Sequence, residues 1–235
     1  MNLKQIVLIT DGESNLGISP IEAAKKAYEK GIRVNTIGIV KNSLKEMPLV
    51  EVEEIASSGG GICQITNLEN LSNALSMVTV ASVQRSIEEL VNKELKCIID
   101  KDTKEVSPKT RGKIIRMMEN LEDEIPIKCL LILDTSGSMK NKIKASKMSV
   151  LELLRFLKER KGKSEVGVIT YPGDEAFYKV LANFTSDIAY LEEHMESISI
   201  GGVTPTGPAL EGGIHMLLNE NVQEREEGVL SDYII

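Results

Sequence analysis

The chain has 235 residues, enough to bury a substantial core. Its 42% hydrophobic and 27% charged content excludes a disordered chain. A net charge of −7 with no basic stripe, and 3% aromatic residues with no Trp, exclude a nucleic-acid surface built on phosphate contacts and base stacking.

Residues 5–10 (QIVLIT) form a continuous apolar run that ends at Asp11-Gly12, the pattern of a strand buried on both faces. A chain that enters a strand this directly is expected to carry neither a signal peptide nor an anchor. No later segment has the apolar length of a membrane span, so no membrane partner and a cytoplasmic location are expected. After a polar loop, Ser19 caps a helix opened by Pro20, with Ile21, Ala24, Ala27 and Tyr28 at helical spacing and Gly31 closing it. Residues 32–40 read as a second strand and 49–57 as a second helix. Gly59-Gly60-Gly61 ends that helix before a short strand, 62–66. This first third is β-α-β-α-β, the alternation of a parallel sheet with crossover helices.

Residues 67–98 predict one unusually long helix, with Leu71, Leu75 and Val78 on one stripe and Val83, Ile87, Leu90, Val91, Leu95 and Ile98 on another. Its distal half is either core packing or a surface for a partner or a second copy. A polar linker, 100–107, leads to a short helix from Ser107-Pro108 with Ile114, Ile115, Met118 and Leu121 inward. An exposed acidic run, 119–124, ends it. Residues 128–134 form a strand, and a helix follows to about Arg160 with Ile143, Val150, Leu151, Leu154 and Leu157 inward. Strands 165–171 and 177–184, joined by a tight loop, must be antiparallel. A helix over 187–197, a Gly/Pro loop over 201–210 and a helix through Leu218 complete the pattern, leaving a charged tail, 219–235, with no evident partner. Of the three cysteines, Cys63 and Cys129 fall in apolar runs and read as reduced, buried thiols.

Chemistry concentrates where the apolar run 129–133 meets Asp134-x-Ser136-x-Ser138. A carboxylate and two hydroxyls at the carboxyl edge of a sheet, where open α/β sheets bind ligands, suit a small hard cation. On its own the pentapeptide is equally a strand-to-helix turn whose Asp134 and Ser138 cap the next helix. Two further pieces tilt the balance: Asp11-Gly12 after another buried strand, and Thr204-x-Thr206-Gly207 in a loop before a helix.

Together these residues resemble the metal-ion-dependent adhesion site (MIDAS) of the von Willebrand factor type A (VWA) domain. The resemblance implies that Asp134, Ser136, Ser138, Thr204 and Asp11 are the metal residues, with Thr206 supporting its loop. It implies Mg²⁺, or else Mn²⁺ or Ca²⁺, as the bound ion. The order of the motifs differs from the usual domain, because the strand ending in Asp11 comes first. Residues 126–218 resemble the first half of a VWA domain and 1–82 the second, with 83–125 as a helical connection and 219–235 as a tail. The implied fold is a circularly permuted, three-layer α/β domain spanning 1–235. Its open six-stranded sheet is mostly parallel, with one antiparallel edge strand and helices on both faces. The expected strand order is 177–184, 165–171, 128–134, 5–11, 32–40, 62–66; a domain swap through the 67–98 helix is the alternative. The resemblance extends to VWA proteins of spore-forming Gram-positive bacteria.

Two carboxylates and three hydroxyls leave a divalent ion with residual positive charge and an exchangeable position. The expected function is therefore capture of an Asp or Glu on a partner protein in an intracellular assembly. Catalysis is not expected. His194 and His215 fall within helices away from these loops, and Ser136 has no activating base in the sequence. A DxDxT-type phosphatase would need Asp where Ser136 stands. Gly162-Lys163-Ser164 is no phosphate loop, since Leu157 replaces the needed Gly and a strand follows. A metal-dependent phosphoester hydrolase and a metal-independent scaffold using the 67–98 helix remain as alternatives.

Overall fold

A computed structural model describes residues 2–40, 50–174 and 176–219. Of the predicted tail, 219–235, all but Asn219 lies outside the described residues.

Strand β1 (Leu3–Thr10) pairs in parallel with β2 (Ile32–Ile39) on one side and β4 (Ile127–Asp134) on the other. β3 (Gly60–Thr66) continues outward from β2, and β5 (Ser164–Tyr171) from β4, both parallel; β6 (Lys179–Thr185) closes that edge antiparallel. The resulting order, β3-β2-β1-β4-β5-β6, is the one expected from the sequence. The central strands read as unbroken apolar runs because both faces are covered, and Ile6, Val7, Leu8, Ile9, Leu130, Leu131, Ile132 and Leu133 are all fully buried.

Alternation along each strand divides the core. Val7, Ile9, Leu131, Leu133, Val166 and Val168 face the helices α3 (Leu71–Ile99), α5 (Ile143–Lys158) and α6 (Ile188–Glu196). Ile6, Leu8, Leu130, Ile132 and Ile169 face α1 (Pro20–Glu29), α2 (Val50–Ser58) and α7 (Thr206–Leu218). The fold is thus a three-layer α/β sandwich. Ser19 accepts the Glu22 N–H as the cap of α1, as expected.

α3 is anchored by its first five turns, where Leu71, Leu75, Val78, Val83 and Ile87 are buried. Arg33 on β2 ties it down through Ser86 Oγ (2.6 Å) and an ion pair with Glu89. Beyond Val91 its residues are half-buried or exposed, and Ile98, on the distal stripe left open between core packing and a partner surface, is 74% exposed. α4 (Pro108–Glu124) packs back on α3 through Ile114 and Met118. It ends on the predicted acidic run and buries no residue fully; Ile115 and Leu121, expected on its apolar side, are exposed because α3 is the main element packed against this helix.

Two strand boundaries also differ. β3 begins at Gly60, two residues before the predicted start: a Cβ on Gly61 would lie 2.1 Å from the Val34 carbonyl oxygen, so glycine lets the strand approach β2. β6 begins at Lys179 instead of 177, because a turn closed by the Gly173 N–H to the Ala176 carbonyl (3.0 Å) delays it. Cys129 is buried as expected; Cys63 is only partly covered, on the edge strand. Among the described residues no helix is long and apolar enough to cross a membrane.

Candidate functional site

β1 and β4 run in register, with Ile9 beside Leu133, so their carboxyl ends finish level. One step further Thr10 Oγ1 donates a 2.6 Å hydrogen bond to Asp134 Oδ2. The other carboxylate oxygen of Asp134 accepts the Ser136 N–H at 2.8 Å, an Asx turn that folds the loop over the strand end. This turn brings the Ser136 and Ser138 hydroxyls to 3.1 Å from each other, and Ser138 Oγ donates to Asp11 Oδ1 at 2.6 Å. Two loops whose contacting residues, Asp11 and Ser138, lie 127 positions apart in sequence therefore meet through a chain of direct polar contacts. The swapped arrangement is not needed: Asp11 and Asp134 meet within one chain.

Thr204 reaches the same edge through its backbone. Its N–H donates to Asn15 Oδ1 (2.7 Å), and its carbonyl accepts the Asn15 N–H and the Ser14 hydroxyl, both at 3.1 Å. The Gly201 N–H donates to the Thr135 carbonyl at 2.9 Å, tying the threonine loop to the Asp134 loop as well. Thr206, read as support, is buried at the start of α7.

The electrostatics are uneven. Asp134 is fully buried, and burial raises its carboxyl above the ordinary aspartate range; the bonds from Thr10 and Ser136 oppose that rise and the charge of Asp11 adds to it. The Tyr171 hydroxyl lies beneath, wholly buried and without a well-formed hydrogen bond; burial first, then the Asp134 charge, pushes its pKa well up. Among the described residues no three His, Cys, Asp or Glu side chains converge in one place. A cation at this edge would rest on two carboxylates and neutral hydroxyls. That set fits a hard, oxygen-seeking divalent ion better than a soft transition metal.

The geometry coincides with a family likeness over most of the chain. Two family models described as von Willebrand factor type A domain match it, one over residues 2–80 and one over 129–231. A crystal structure of an uncharacterized protein from Alicyclobacillus acidocaldarius subsp. acidocaldarius DSM 446 superposes with a TM-score of 0.86 at 37% identity, covering 93% of this chain and 95% of that one. This chain belongs to the von Willebrand factor type A family. The VWA domain described here is also 36% identical over 234 residues to Uncharacterized protein YabS of Bacillus subtilis (strain 168), covering 98% of this chain and 94% of that protein.

Four polar residues at the VWA edge escaped the sequence reading. Thr10 is the direct partner of Asp134, and Asn15 the clamp on Thr204. Glu51 accepts the Ser14 N–H from the first turn of α2, and its carboxyl is raised mainly by burial. Lys142 is buried at the start of α5, with its ammonium on Asp11 Oδ2. Only Lys142 left a trace in the pattern: with Ser146, Ser149 and Leu153 it falls on one helical stripe, and all four are buried.

Proposed function

We propose that this VWA domain is a divalent-cation-dependent protein-binding module and that its cation is Mg²⁺. The ion would be held by Asp134, Ser136, Ser138, Thr204 and Asp11. The observation that carries this reading is the contact of Ser138 with Asp11 beside the Ser136 hydroxyl, which gathers the donors of two distant loops at one sheet edge. When bound, a divalent ion would neutralise the two carboxylates and offer an exchangeable coordination position that suits a partner's Asp or Glu carboxylate. The protein's own residues supply the rest. Thr10 and the Ser136 N–H fix both oxygens of Asp134, and the Asn15 clamp fixes the threonine loop.

Binding is favoured over catalysis by where His194 and the Gly162-Lys163-Ser164 turn lie. His194, on α6, has its Nδ1 2.8 Å from the Tyr190 carbonyl one turn back. Gly162-Lys163-Ser164 sits at the amino ends of β4 and β5, opposite the acidic edge, with the Gly162 N–H on the Asp123 carbonyl (2.8 Å).

The same proposal includes a circular permutation of the VWA fold, with 126–218 as the ancestral first half and 1–82 as the second. The separate matches over 2–80 and 129–231, with the DxSxS strand in the later one, support it. A cytoplasmic setting and a partner in a regulatory assembly complete the reading.

Calorimetric titration with Mg²⁺ and Mn²⁺, paired with partner capture with and without EDTA, tests it. Wild type should bind the ion and retain a partner that EDTA releases, and Asp134→Ala should do neither. Undiminished capture by Asp134→Ala would refute the mechanism.

A further inference from the structure

The two aspartates at this edge are not equally available. Asp134 is hydrogen-bonded only by neutral donors, the Thr10 hydroxyl and the Ser136 N–H, whereas Asp11 already has a cation. The Lys142 ammonium sits on Asp11 Oδ2, with the Ile39 carbonyl 3.5 Å from the same nitrogen. Both side chains are almost sealed from solvent, at 6% and 2% exposure. Lys140 and Lys144, its neighbours on either side, point outward, so this inward lysine reflects helical position and not local composition. Its backbone is pinned: the Lys142 N–H donates to the Met139 carbonyl (2.7 Å), and its own carbonyl accepts both the N–H and the hydroxyl of Ser146 (3.0 and 3.2 Å). A buried ammonium persists only with an anionic partner, and the partner here is a residue that the proposed function assigns to the cation.

We propose that Lys142 is a tethered counter-cation of the metal site, holding Asp11 in the absence of the divalent ion and weakening divalent binding by competing for that carboxylate. This rests on the metal-binding reading above and adds the residue that sets its strength. With Lys142 the two carboxylates carry a net charge of −1; without it they carry −2. Lost positioning is the smaller effect. Asp11 stays at the end of β1 and keeps its 2.6 Å bond from Ser138, so removing the lysine mainly removes charge. Lys142 is a positioning and affinity-setting residue and does not itself ligate the ion.

The test uses the full chain with Mn²⁺ alone as the probe, comparing wild type with Lys142→Met and Lys142→Gln. Gln keeps a donor for Asp11 while deleting the charge. Both variants should bind Mn²⁺ about tenfold tighter or better, since every decade corresponds to one modest charge interaction. In EDTA both should unfold at lower urea than wild type, because the buried Asp11 loses its counter-charge, and Mn²⁺ should raise their midpoints more than it raises the wild type's. Should a variant be unfolded in EDTA, the dependence of its urea midpoint on Mn²⁺ concentration still yields the affinity. Equal or weaker binding by both variants overturns the inference. So does wild-type binding by Gln with loss in Met, which would make Lys142 a mere prop. Binding by the variants where wild type shows none supports it in its strongest form. If no form binds Mn²⁺, the metal reading itself fails, and the inference with it.

Discussion

The loop after β4 and the loop after β1 both end a buried strand with an aspartate, yet they are built on opposite plans. The Asp134 loop is largely self-contained: within five residues Asp134 takes the Ser136 N–H and the two serines meet. The Asp11 loop borrows nearly every anchor. Lys142 holds Asp11, Glu51 holds Ser14, the threonine loop pairs with Ser14 and Asn15, and α7 meets the backbone at Ile18. The short loop sets its own turn and takes a few further bonds from β1, β5 and the threonine loop. A long one depends on what the rest of the fold brings to it.

The sharpest way to break the first loop is Asp134→Asn. Mn²⁺ affinity should fall about a hundredfold or more, with loss of a principal charged ligand. The urea midpoint in EDTA should hold or rise, because a raised carboxyl is a buried charge the fold tolerates and does not need. A variant that keeps its affinity would remove Asp134 from the site.

The second loop should break from a distance. A Cβ on Gly207 would lie 2.0 Å from the Ile18 carbonyl oxygen, so Gly207→Ala must push α7 and the Asp11 loop apart. Overpacking of this kind costs about 1–3 kcal/mol, read by urea denaturation, and Mn²⁺ affinity should fall with it. Unchanged stability would mean the two segments are looser than the contact implies.

Thr10→Val probes the seam between the loops. It keeps the shape and strands one oxygen of Asp134, a loss of about 1–3 kcal/mol for a buried acceptor. Wild-type stability would show that the 2.6 Å bond contributes little.

The smallest effect is a pH dependence. Glu51 holds its proton more tightly in the folded protein than in the unfolded chain, so its contribution is fully present below the ordinary glutamate range and is lost as pH rises through the raised value. The difference in urea midpoint between wild type and Glu51→Gln in EDTA should therefore change across that window. A difference that does not vary with pH would count against the burial of this carboxylate.

The same contrast explains what could be read from the sequence. The strands followed from unbroken apolar runs over 5–10 and 129–133, their order from the family resemblance, and the Asp134 loop from the spacing of three adjacent oxygen groups. The resemblance, not periodicity, brought Asp11 and Thr204 to it. Thr10, Asn15 and Glu51 were invisible because each partner lies across the fold, where no local pattern marks it. Lys142 left a fainter trace, on a helical stripe with Ser146, Ser149 and Leu153, where a lysine among small and apolar residues calls for an anion. Ile115 and Leu121 misled for the converse reason: helical spacing names a face, while only the neighbouring layer decides whether that face is covered.

The pairing of β1 with β4 in mid-sheet has a consequence for how the chain comes apart. Neither the stretch before Pro108 nor the one after Glu124 owns a finished sheet, because each contributes three strands and leaves its innermost one unpaired. A cut in the connector between α3 and α4 should leave two pieces that cling together, whereas either piece made alone would offer a raw, sticky strand edge to its own copies.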